Sequence, residues 1–334
     1  MATICEKPVT GATAWKSADM KDPAGWTHVL TGDEIADLDR ALRGVQKRGL
    51  AMADVGRKDF PLPALEPFLR DLERTVRTGR GFALIRGIPV ERYTDEEVFL
   101  IKWGIGTHLG EKVSQNVYGD LLGHVYDYGK DPDSTRTRGY QTSGELRFHV
   151  DRADMTSLLC LRKGRAGGRS RVVSSMSVHN EILARHPEYL PPLYEGVPYI
   201  HIEEAGEMRS WKEPVFSVTD GVLSCSIRRN TVQKAIERSG MAMSALDTAA
   251  LHCFDAIAED PKFVLEMELE PGDIQFVNNY TILHGRTAFA DGPSPEKKRH
   301  LVRLWLKFFT PRPTAAFIRE QYNGIEKMLE RKAS

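Results

Sequence analysis

A histidine and an aspartate two residues apart could share one metal ion. They lie in the stretch ELRFHVD (145–151), where apolar residues take the alternate positions. A strand here would place His149 and Asp151 on one face, about 6.6–6.8 Å apart at the backbone, because side chains alternate along a strand. Two such ligands can converge on an ion that lies roughly 2 Å from each ligand atom. With a histidine from another strand, they would form the two-His, one-carboxylate set that holds Fe(II) and leaves positions open for substrate and oxygen.

Two other histidine-x-acid pairs compete with this interpretation. His186 and Glu188 are separated by a proline at the expected end of a helix, which is a poor place for paired ligands. His201 and Glu203 lie on an expected strand and are fair competitors. A hydrogen-bonded His–Asp pair on a half-exposed strand is the structural alternative to metal binding. The strand period alone does not decide among these hypotheses.

Two stretches further along the chain favour the first pair. In GDIQFVNNYTILHGRT (272–287), His284 lies at the end of an apolar strand pattern, just before Gly-Arg. In RHLVRLWLKFF (299–309), Arg299 and Arg303 share one parity of a strand that is otherwise apolar on both faces. A buried arginine needs an anion, and its planar fork suits a carboxylate. The three stretches together predict an iron site beside a carboxylate-bearing partner.

A β-rich frame must position these residues. From about residue 110 the chain alternates short strand patterns with turns at Gly and Asp, which indicates a β-sandwich or jelly roll with helices packed outside. A hairpin is expected with its turn at Asp220-Gly221. The predicted strands are 81–87, 123–129, 145–151, 156–162, 170–175, 197–204, 214–228, 262–279 and 299–309.

Helices are expected on both sides of this frame. Thr94 and Glu97 form a capping box before one of them. No linker divides the chain, so we predict one catalytic domain over 1–334: a mostly helical portion (1–110), a jelly-roll core with helical inserts (111–312) and a C-terminal helix (313–334). The predicted helices are 32–48, 64–78, 94–106, 177–186, roughly 231–258, and 314–331.

Composition narrows the class of protein. The 334 residues include 46 Lys plus Arg and 46 Asp plus Glu, so no net charge draws the chain to nucleic acid or an acidic membrane. Four cysteines without a Cys-x-x-Cys pair indicate reduced thiols. The N-terminal stretch lacks a signal pattern and no run of about 18 apolar residues occurs. We therefore expect a cytoplasmic protein with a small-molecule partner, no nucleic acid and no membrane, and leave open a homo-oligomer.

Three quoted stretches, taken in order, resemble one enzyme family. LRFHVDRADMTSLLCLRKGRAGGRSRVVSS, NNYTILHGRTAF and RHLVRLWLK are similar to the TauD/TfdA (clavaminate-synthase-like) branch of the Fe(II)/2-oxoglutarate-dependent oxygenases, over about residues 80–310. The resemblance implies a double-stranded β-helix, a jelly roll that is mainly β with flanking helices. It also implies Fe(II), the co-substrate 2-oxoglutarate, and O2.

The resemblance implies roles for particular residues. The iron ligands would be His149, Asp151 and His284. The 2-oxoglutarate residues would be Arg299 at the distal carboxylate, Arg303 near the other carboxylate or the substrate, and Ser170 as the hydroxyl on the distal carboxylate. The substrate candidates are Asn116, which matches a polar pocket residue of relatives, and Arg152 and Arg147, which flank the metal pair.

The expected reaction is oxidation of an unactivated C–H bond, by default hydroxylation, in a small polar or carboxylate-bearing molecule, with release of succinate and CO2. Desaturation or ring closure in natural-product biosynthesis is the alternative within the same cofactor chemistry. A non-catalytic or cupin-type metal-binding jelly roll is the alternative outside it, although cupins usually offer more histidine ligands and lack the arginine pair.

Overall fold

The computed structural model describes residues 3–116, 118–130, 139–202 and 208–321. Its helices are α1 (Gly32–Arg48), α2 (Glu66–Thr78), α3 (Asp95–Thr107), α4 (Ser175–Arg185), α5 (Leu190–Glu195), α6 (Arg229–Ser239) and α7 (Ala245–Glu259). Its strands are β1 (Thr27–Val29), β2 (Phe82–Arg86), β3 (Glu111–Val113), β4 (Leu122–Val125), β5 (Leu146–His149), β6 (Met155–Arg162), β7 (Ala166–Gly167), β8 (Ser170–Ser174), β9 (Val197–Ile202), β10 (Met208–Glu213), β11 (Phe216–Thr219), β12 (Val222–Cys225), β13 (Leu265–Met267), β14 (Ile274–Asn278), β15 (Ile282–Arg286), β16 (Phe289–Ala290) and β17 (His300–Lys307).

Two sheets face each other. The larger has the order β1-β2-β14-β6-β17-β3, with β4 also paired to β17, and the smaller has the order β13-β8-β15-β5. Their pairs are antiparallel except β1 with β2. The core between them combines Phe82 and Leu301 of the larger sheet with Val172 and Ile282 of the smaller. This confirms the predicted jelly roll.

Helices cover the outer face of each sheet. Leu38, Leu72 and Ile101, from α1, α2 and α3, share one apolar cluster with strand residues of the larger sheet such as Val302. The helices α4 to α7 form a second cluster over the smaller sheet, which takes in Phe148 of β5. The central strands are therefore buried on both faces, as expected for a sheet with a helical cover.

Local sequence signals set several element ends. The capping box predicted before α3 is present: Thr94 accepts from the backbone N–H of Glu97, whose side chain accepts from that of Thr94. The turn between β11 and β12 has φ of 51° at Asp220 and 75° at Gly221. Two positive φ angles are typical of the type I′ hairpin turn, so the predicted hairpin is confirmed.

Several predicted elements are shorter than expected. The strand predicted over 145–151 ends at His149, since the next two backbone amides bond outside the sheet. The helix predicted over 231–258 is two helices, because Gly240 has a φ of +68° that ends α6. The strand predicted over 262–279 divides into β13 and β14 around Gly272, which has a φ of +88°.

The N-terminal segment adds Trp15 and Trp26 to the core between the sheets. Residues 316–321 are helical, and the remainder of the helix predicted over 314–331 lies outside the described residues. The three-part division of a single domain stays a prediction. The four cysteines are free thiols, and none of the helices described is both long and apolar enough to cross a membrane.

Candidate metal centre

Two neighbouring strands of the smaller sheet bring both histidines together. His149 of β5 and His284 of β15 are register partners in an antiparallel pair. Directly opposed residues share a face, so both side chains point to the space between the sheets. Asp151 comes two residues after β5 ends, in the turn that leads into β6, where its backbone N–H donates to the Asn279 side-chain oxygen at 3.0 Å.

The three ligand atoms are close enough to hold one ion. His149 Nε2 lies 3.9 Å from Asp151 Oδ1, and His284 Nε2 lies 3.6 Å from Asp151 Oδ2. All three ligand atoms fall within 4.8 Å of one another. Among the residues described, no other group of three His, Cys, Asp or Glu side chains meets that condition. Two imidazoles and one carboxylate are a donor set that suits Fe(II) and leaves coordination positions open.

The protonation of His149 suits a metal ligand. Its Nδ1 lies 2.9 Å from the carbonyl oxygen of Arg147, which can only accept, so Nδ1 carries the proton and Nε2 keeps a free lone pair. Burial, with the nearby His284, lowers the pKa of His149 to about 4. The imidazole is therefore neutral at neutral pH.

Asp151 is held ionised and in one orientation. Its Oδ2 accepts from Thr156 Oγ1 at 2.8 Å and from Trp305 Nε1 at 2.9 Å, whereas its Oδ1 lies 3.5 Å from Arg303 Nη1. Burial acts to raise the pKa of this carboxyl, but the Arg303 charge and the His284 contact outweigh it and hold the pKa well below its usual range. Since two donors occupy Oδ2, Oδ1 is the oxygen left for a metal.

Arg303 is fixed on the interior face of β17. Its Nε donates to Gln115 Oε1 at 2.6 Å, and Gln115 donates back to the carbonyl oxygen of Arg303 at 2.9 Å. Its guanidinium also lies over the rings of Trp305, at 4.6 Å, and Tyr140, at 5.0 Å. The guanidinium is thereby aimed at Asp151.

Arg299 and Ser170 lie in the same interior. Arg299 is buried, its Nη2 donates to the carbonyl oxygen of Gly168 at 3.4 Å, and its Nη1 has no hydrogen-bond partner in the described chain. Burial lowers the pKa of Arg299 to about 10. Gly168 has a φ of +73° and its missing Cβ would lie 2.8 Å from Arg299 Nε, so glycine is required here. Ser170 Oγ donates to Gln275 Oε1 at 2.8 Å, across the gap between the sheets.

The three substrate candidates lie in different surroundings. The Asn116 side chain is engaged in its own turn, where it donates to Asp120 and accepts from the backbone N–H groups of Tyr118 and Asp120. Arg147 is exposed, and Arg152 is half-buried directly after Asp151. Arg147 and Arg152 thus flank His149 and Asp151 in the chain, whereas the Asn116 amide is held by its own loop.

Of the two rival histidine-x-acid pairs, the structure describes both members of only one. His186 and Glu188 lie 3.7 Å apart where α4 ends and a short 3-10 helix begins; His186 is half-buried and Glu188 is exposed. Glu203 lies outside the described residues, so the pair that it forms with His201 stays a prediction.

Sequence reasoning did not single out Gln115, Thr156 and Asn279. Asn279 accepts from the Asp151 backbone and donates to the Ala153 carbonyl oxygen at 2.9 Å and to Thr156 Oγ1 at 3.0 Å, so it fixes the turn that carries the carboxylate. A polar residue inside or just after an otherwise apolar strand pattern is the signal that could have found Thr156 and Asn279, whereas Gln115 lies in a loop and carries no such signal.

Comparison with known proteins identifies the family. A profile of the family described as "Taurine catabolism dioxygenase TauD, TfdA family" matches residues 46–305. The chain belongs to this family. Relatives that are similar to it include FR-33289 synthase of Streptomyces rubellomurinus (strain ATCC 31215), 35% identical over 312 residues that cover 92% of each chain. The protein is accordingly a 2-oxoglutarate-dependent dioxygenase, and its cofactor set is Fe(II), 2-oxoglutarate and O2.

Solved structures share the TauD/TfdA fold at lower identity. An asparagine oxygenase in complex with Fe(II), 2S,3S-3-hydroxyasparagine and succinate superposes with a TM-score of 0.65 at 16% identity, covering 84% of this chain and 93% of the other. The non-heme iron oxygenase OrfP in complex with Fe and alpha-ketoglutaric acid gives a TM-score of 0.62 at 16% identity, covering 84% and 94%. These likenesses support the jelly-roll architecture.

Proposed function

We propose that this dioxygenase hydroxylates an unactivated C–H bond of a small, carboxylate-bearing or otherwise polar molecule in natural-product biosynthesis. The observation that carries the proposal is the cluster of His149, Asp151 and His284, whose ligand atoms lie within 4.8 Å of one another in an interior that also holds buried arginines. In the overall reaction, one oxygen atom of O2 enters the product, the other enters succinate, and CO2 leaves.

The proposed iron ligands are His149 Nε2, His284 Nε2 and Asp151 Oδ1. Fe(II) bound by them would supply the oxygen activation that couples decarboxylation of the 2-oxo acid to C–H oxidation. The protein's contribution is orientation. Thr156 and Trp305 hold Oδ2 away from the ion, and this favours one-oxygen ligation that keeps the remaining positions open.

The anionic groups of co-substrate and substrate need cationic partners. Arg299, with Ser170 nearby, is proposed for the distal carboxylate of 2-oxoglutarate, since its buried Nη1 lacks a partner among the described groups. Arg303 is proposed for the carboxylate next to the metal, because it already faces Asp151 at 3.5 Å.

Substrate would enter on the side where Arg147 and Arg152 flank the metal pair. Arg147 is exposed and Arg152 is half-buried, so a substrate carboxylate could reach either. The asparagine oxygenase and OrfP structures hold hydroxylated amino acids, which supports amino-acid-like substrates as the first class to examine.

An anaerobic titration tests the proposal. Fe(II) and then 2-oxoglutarate are added, and the weak visible charge-transfer band of the chelate is recorded. We expect the band in the wild type and its loss in His149→Ala, but not in His186→Ala, which removes the histidine of a rival pair. Absence of the band in the wild type would refute the proposed function, and its loss in His186→Ala alone would refute the ligand assignment.

The substrate is then sought among amino acids and small carboxylates, with succinate formation and oxygen uptake as readouts. Product mass distinguishes the outcomes: hydroxylation adds one oxygen atom, whereas desaturation or ring closure removes two hydrogen atoms. Substrate-dependent succinate without added oxygen in the product would select the alternative chemistry.

A further inference from the structure

A third arginine faces the interior beside the pocket proposed for the distal carboxylate. Arg286 is the last residue of β15 and is buried. Its register partner in β8 is Ser170. Directly opposed residues share a face, so Arg286 stands next to the Ser170 hydroxyl on the interior side of the smaller sheet.

Arg286 and Arg299 hold their guanidinium groups against one aromatic ring. The guanidinium carbons lie 4.4 Å and 5.1 Å from the centre of the Phe289 ring. Arg286 Nε and Nη1, like Arg299 Nη1, are buried without a hydrogen-bond partner among the groups that the structure describes. Two like charges buried together are unfavourable until an anion joins them. The distal carboxylate of 2-oxoglutarate is an anion of the right shape, since its two oxygens match guanidinium N–H donors.

The remaining nitrogen of Arg286 points to a different part of the chain. Its Nη2 donates to the carbonyl oxygens of Thr142, at 2.9 Å, and Gly144, at 2.5 Å. Phe289 adds a backbone bond to Ser143 at 3.0 Å. We call residues 139–145 the covering segment. Its Tyr140 ring lies 5.0 Å from the guanidinium of Arg303, so the segment lies across the arginine that faces the metal pair.

We propose that Arg286 binds the distal carboxylate together with Arg299 and Ser170, and that it couples co-substrate binding to the order of the covering segment. The proposal rests on the proposed function, because it requires 2-oxoglutarate in this interior. Either Nε or Nη1 of Arg286 donates to the carboxylate, while Nη2 keeps the two carbonyl oxygens. Neutralising the arginine pair would then strengthen the attachment of the segment that carries Tyr140.

The test compares two 2-oxo acids that differ in the distal group. Fe(II)-loaded enzyme is titrated anaerobically with 2-oxoglutarate and with 2-oxovalerate, which lacks the distal carboxylate, and the chelate band is followed. Arg286→Gln should bind 2-oxoglutarate about tenfold to a hundredfold more weakly than wild type, with 2-oxovalerate unchanged.

Arg171→Gln is the matched control. Arg171 lies on β8 next to Ser170 but on the opposite face, where it forms ion pairs with Glu145, Glu259 and Glu266. It should keep wild-type affinity for both acids. Hydrogen exchange of the amides at 139–145 is the second readout: 2-oxoglutarate should slow it in wild type but not in Arg286→Gln. Arg171→Gln is a control for affinity only, because it also removes an ion pair to Glu145 of the covering segment.

Each outcome decides something. Equal 2-oxoglutarate affinity in Arg286→Gln and wild type would overturn this inference and leave the proposed function standing. The same holds if Arg286→Gln loses affinity for 2-oxovalerate by the same factor as for 2-oxoglutarate. If Arg286→Gln does not fold, Arg286→Lys, which keeps the charge but loses the fork, should still bind 2-oxoglutarate more weakly by a smaller factor, and wild-type affinity there would also count against it. A wild type that forms no chelate with 2-oxoglutarate refutes the proposed function itself.

Discussion

Thr156 and Ser157 are neighbours on β6 that serve opposite faces of the larger sheet, and each contacts a buried charge. Thr156 faces the interior and donates to Asp151, whereas Ser157 faces the helical cover and accepts from Lys102 of α3. Lys102 is 1% exposed.

The two charges have different surroundings. Asp151 receives side-chain donors from Thr156 and Trp305 and faces the Arg303 charge. Lys102 has the Ser157 hydroxyl and the face of the Phe276 ring, 5.2 Å from its Nζ, and no carboxylate pairs with it in the described chain. Burial therefore lowers the pKa of Lys102 well below its usual range. Donors and an opposite charge therefore favour the ionised form of a buried group, whereas burial without them favours the neutral form.

The largest effect should follow loss of the interior charge. Asp151→Asn keeps the shape but removes the anionic ligand, so we expect Fe(II) binding and succinate formation to fall by more than the roughly 100-fold that is typical of changes around a ligand. Iron content after reconstitution and succinate assays measure this. Stoichiometric iron with wild-type turnover in Asp151→Asn would show that this carboxylate is not a metal ligand.

Two tryptophans offer the next test. Trp305 Nε1 donates to Asp151 at 2.9 Å. Trp103, on the outer helix α3, donates its Nε1–H to the Val55 carbonyl oxygen at 3.0 Å. Trp305→Phe should weaken Fe(II) binding by about 10- to 100-fold, as for other residues that orient a metal ligand. Trp103→Phe should leave Fe(II) affinity unchanged and lower the free energy of unfolding by about 1 kcal/mol. Competition with a metal chelator and denaturant unfolding separate the two readouts, and the same loss of metal affinity in both variants would contradict the expected division.

A smaller effect is expected from the two hydroxyls themselves. Thr156→Val removes a donor to Asp151, and we expect Fe(II) affinity to fall about tenfold. Ser157→Ala, one residue away on the outer face, should leave Fe(II) affinity at the wild-type value. Equal Fe(II) affinity in the two variants would show that Thr156 does not orient the carboxylate.

The smallest effect on activity should come from Lys102. The double variant Lys102→Met, Ser157→Ala replaces both polar partners by apolar groups, which can be neutral or stabilising. An unfolded lysine has a pKa of about 10.4, whereas folding lowers the pKa of Lys102. Between the lowered pKa of the folded protein and about 10.4, the unfolded chain binds a proton that the folded chain does not. The free energy of unfolding of the wild type therefore rises with pH across this range and stays constant above it.

The double variant should lose that slope, so that any stability it gains over wild type is largest at low pH and shrinks as the pH rises. Urea unfolding across pH measures it. This expectation would be refuted if the free energy of unfolding of the double variant rose relative to that of wild type as the pH increases.

Much of the candidate site could be predicted because it depends on strand parity. His284, Arg299 and Arg303 lie on or next to strands, where alternation places them inside, and the structure brings them to one interior. The resemblance added Ser170, which is also buried there.

The remainder depends on pairings between distant parts of the chain. Asp151 lies past its strand, so its position depends on Asn279, 128 residues away. Gln115 meets Arg303 across 188 residues, and neither partner has a local pattern that names the other. Lysine is almost never fully buried, so the burial of Lys102 was not foreseeable from its residue type.

The alternation of side chains along β17 limits how this protein can be redesigned. Leu301, Arg303 and Trp305 face the interior, and Val302 and Leu304 between them belong to the outer apolar cluster. Inserting or deleting one residue within it would exchange the two sets. Arg303 would then point into the outer apolar cluster, and apolar side chains would point into the interior that holds the proposed metal site. Libraries that seek new substrates should therefore keep this strand at fixed length and vary the turns at its ends.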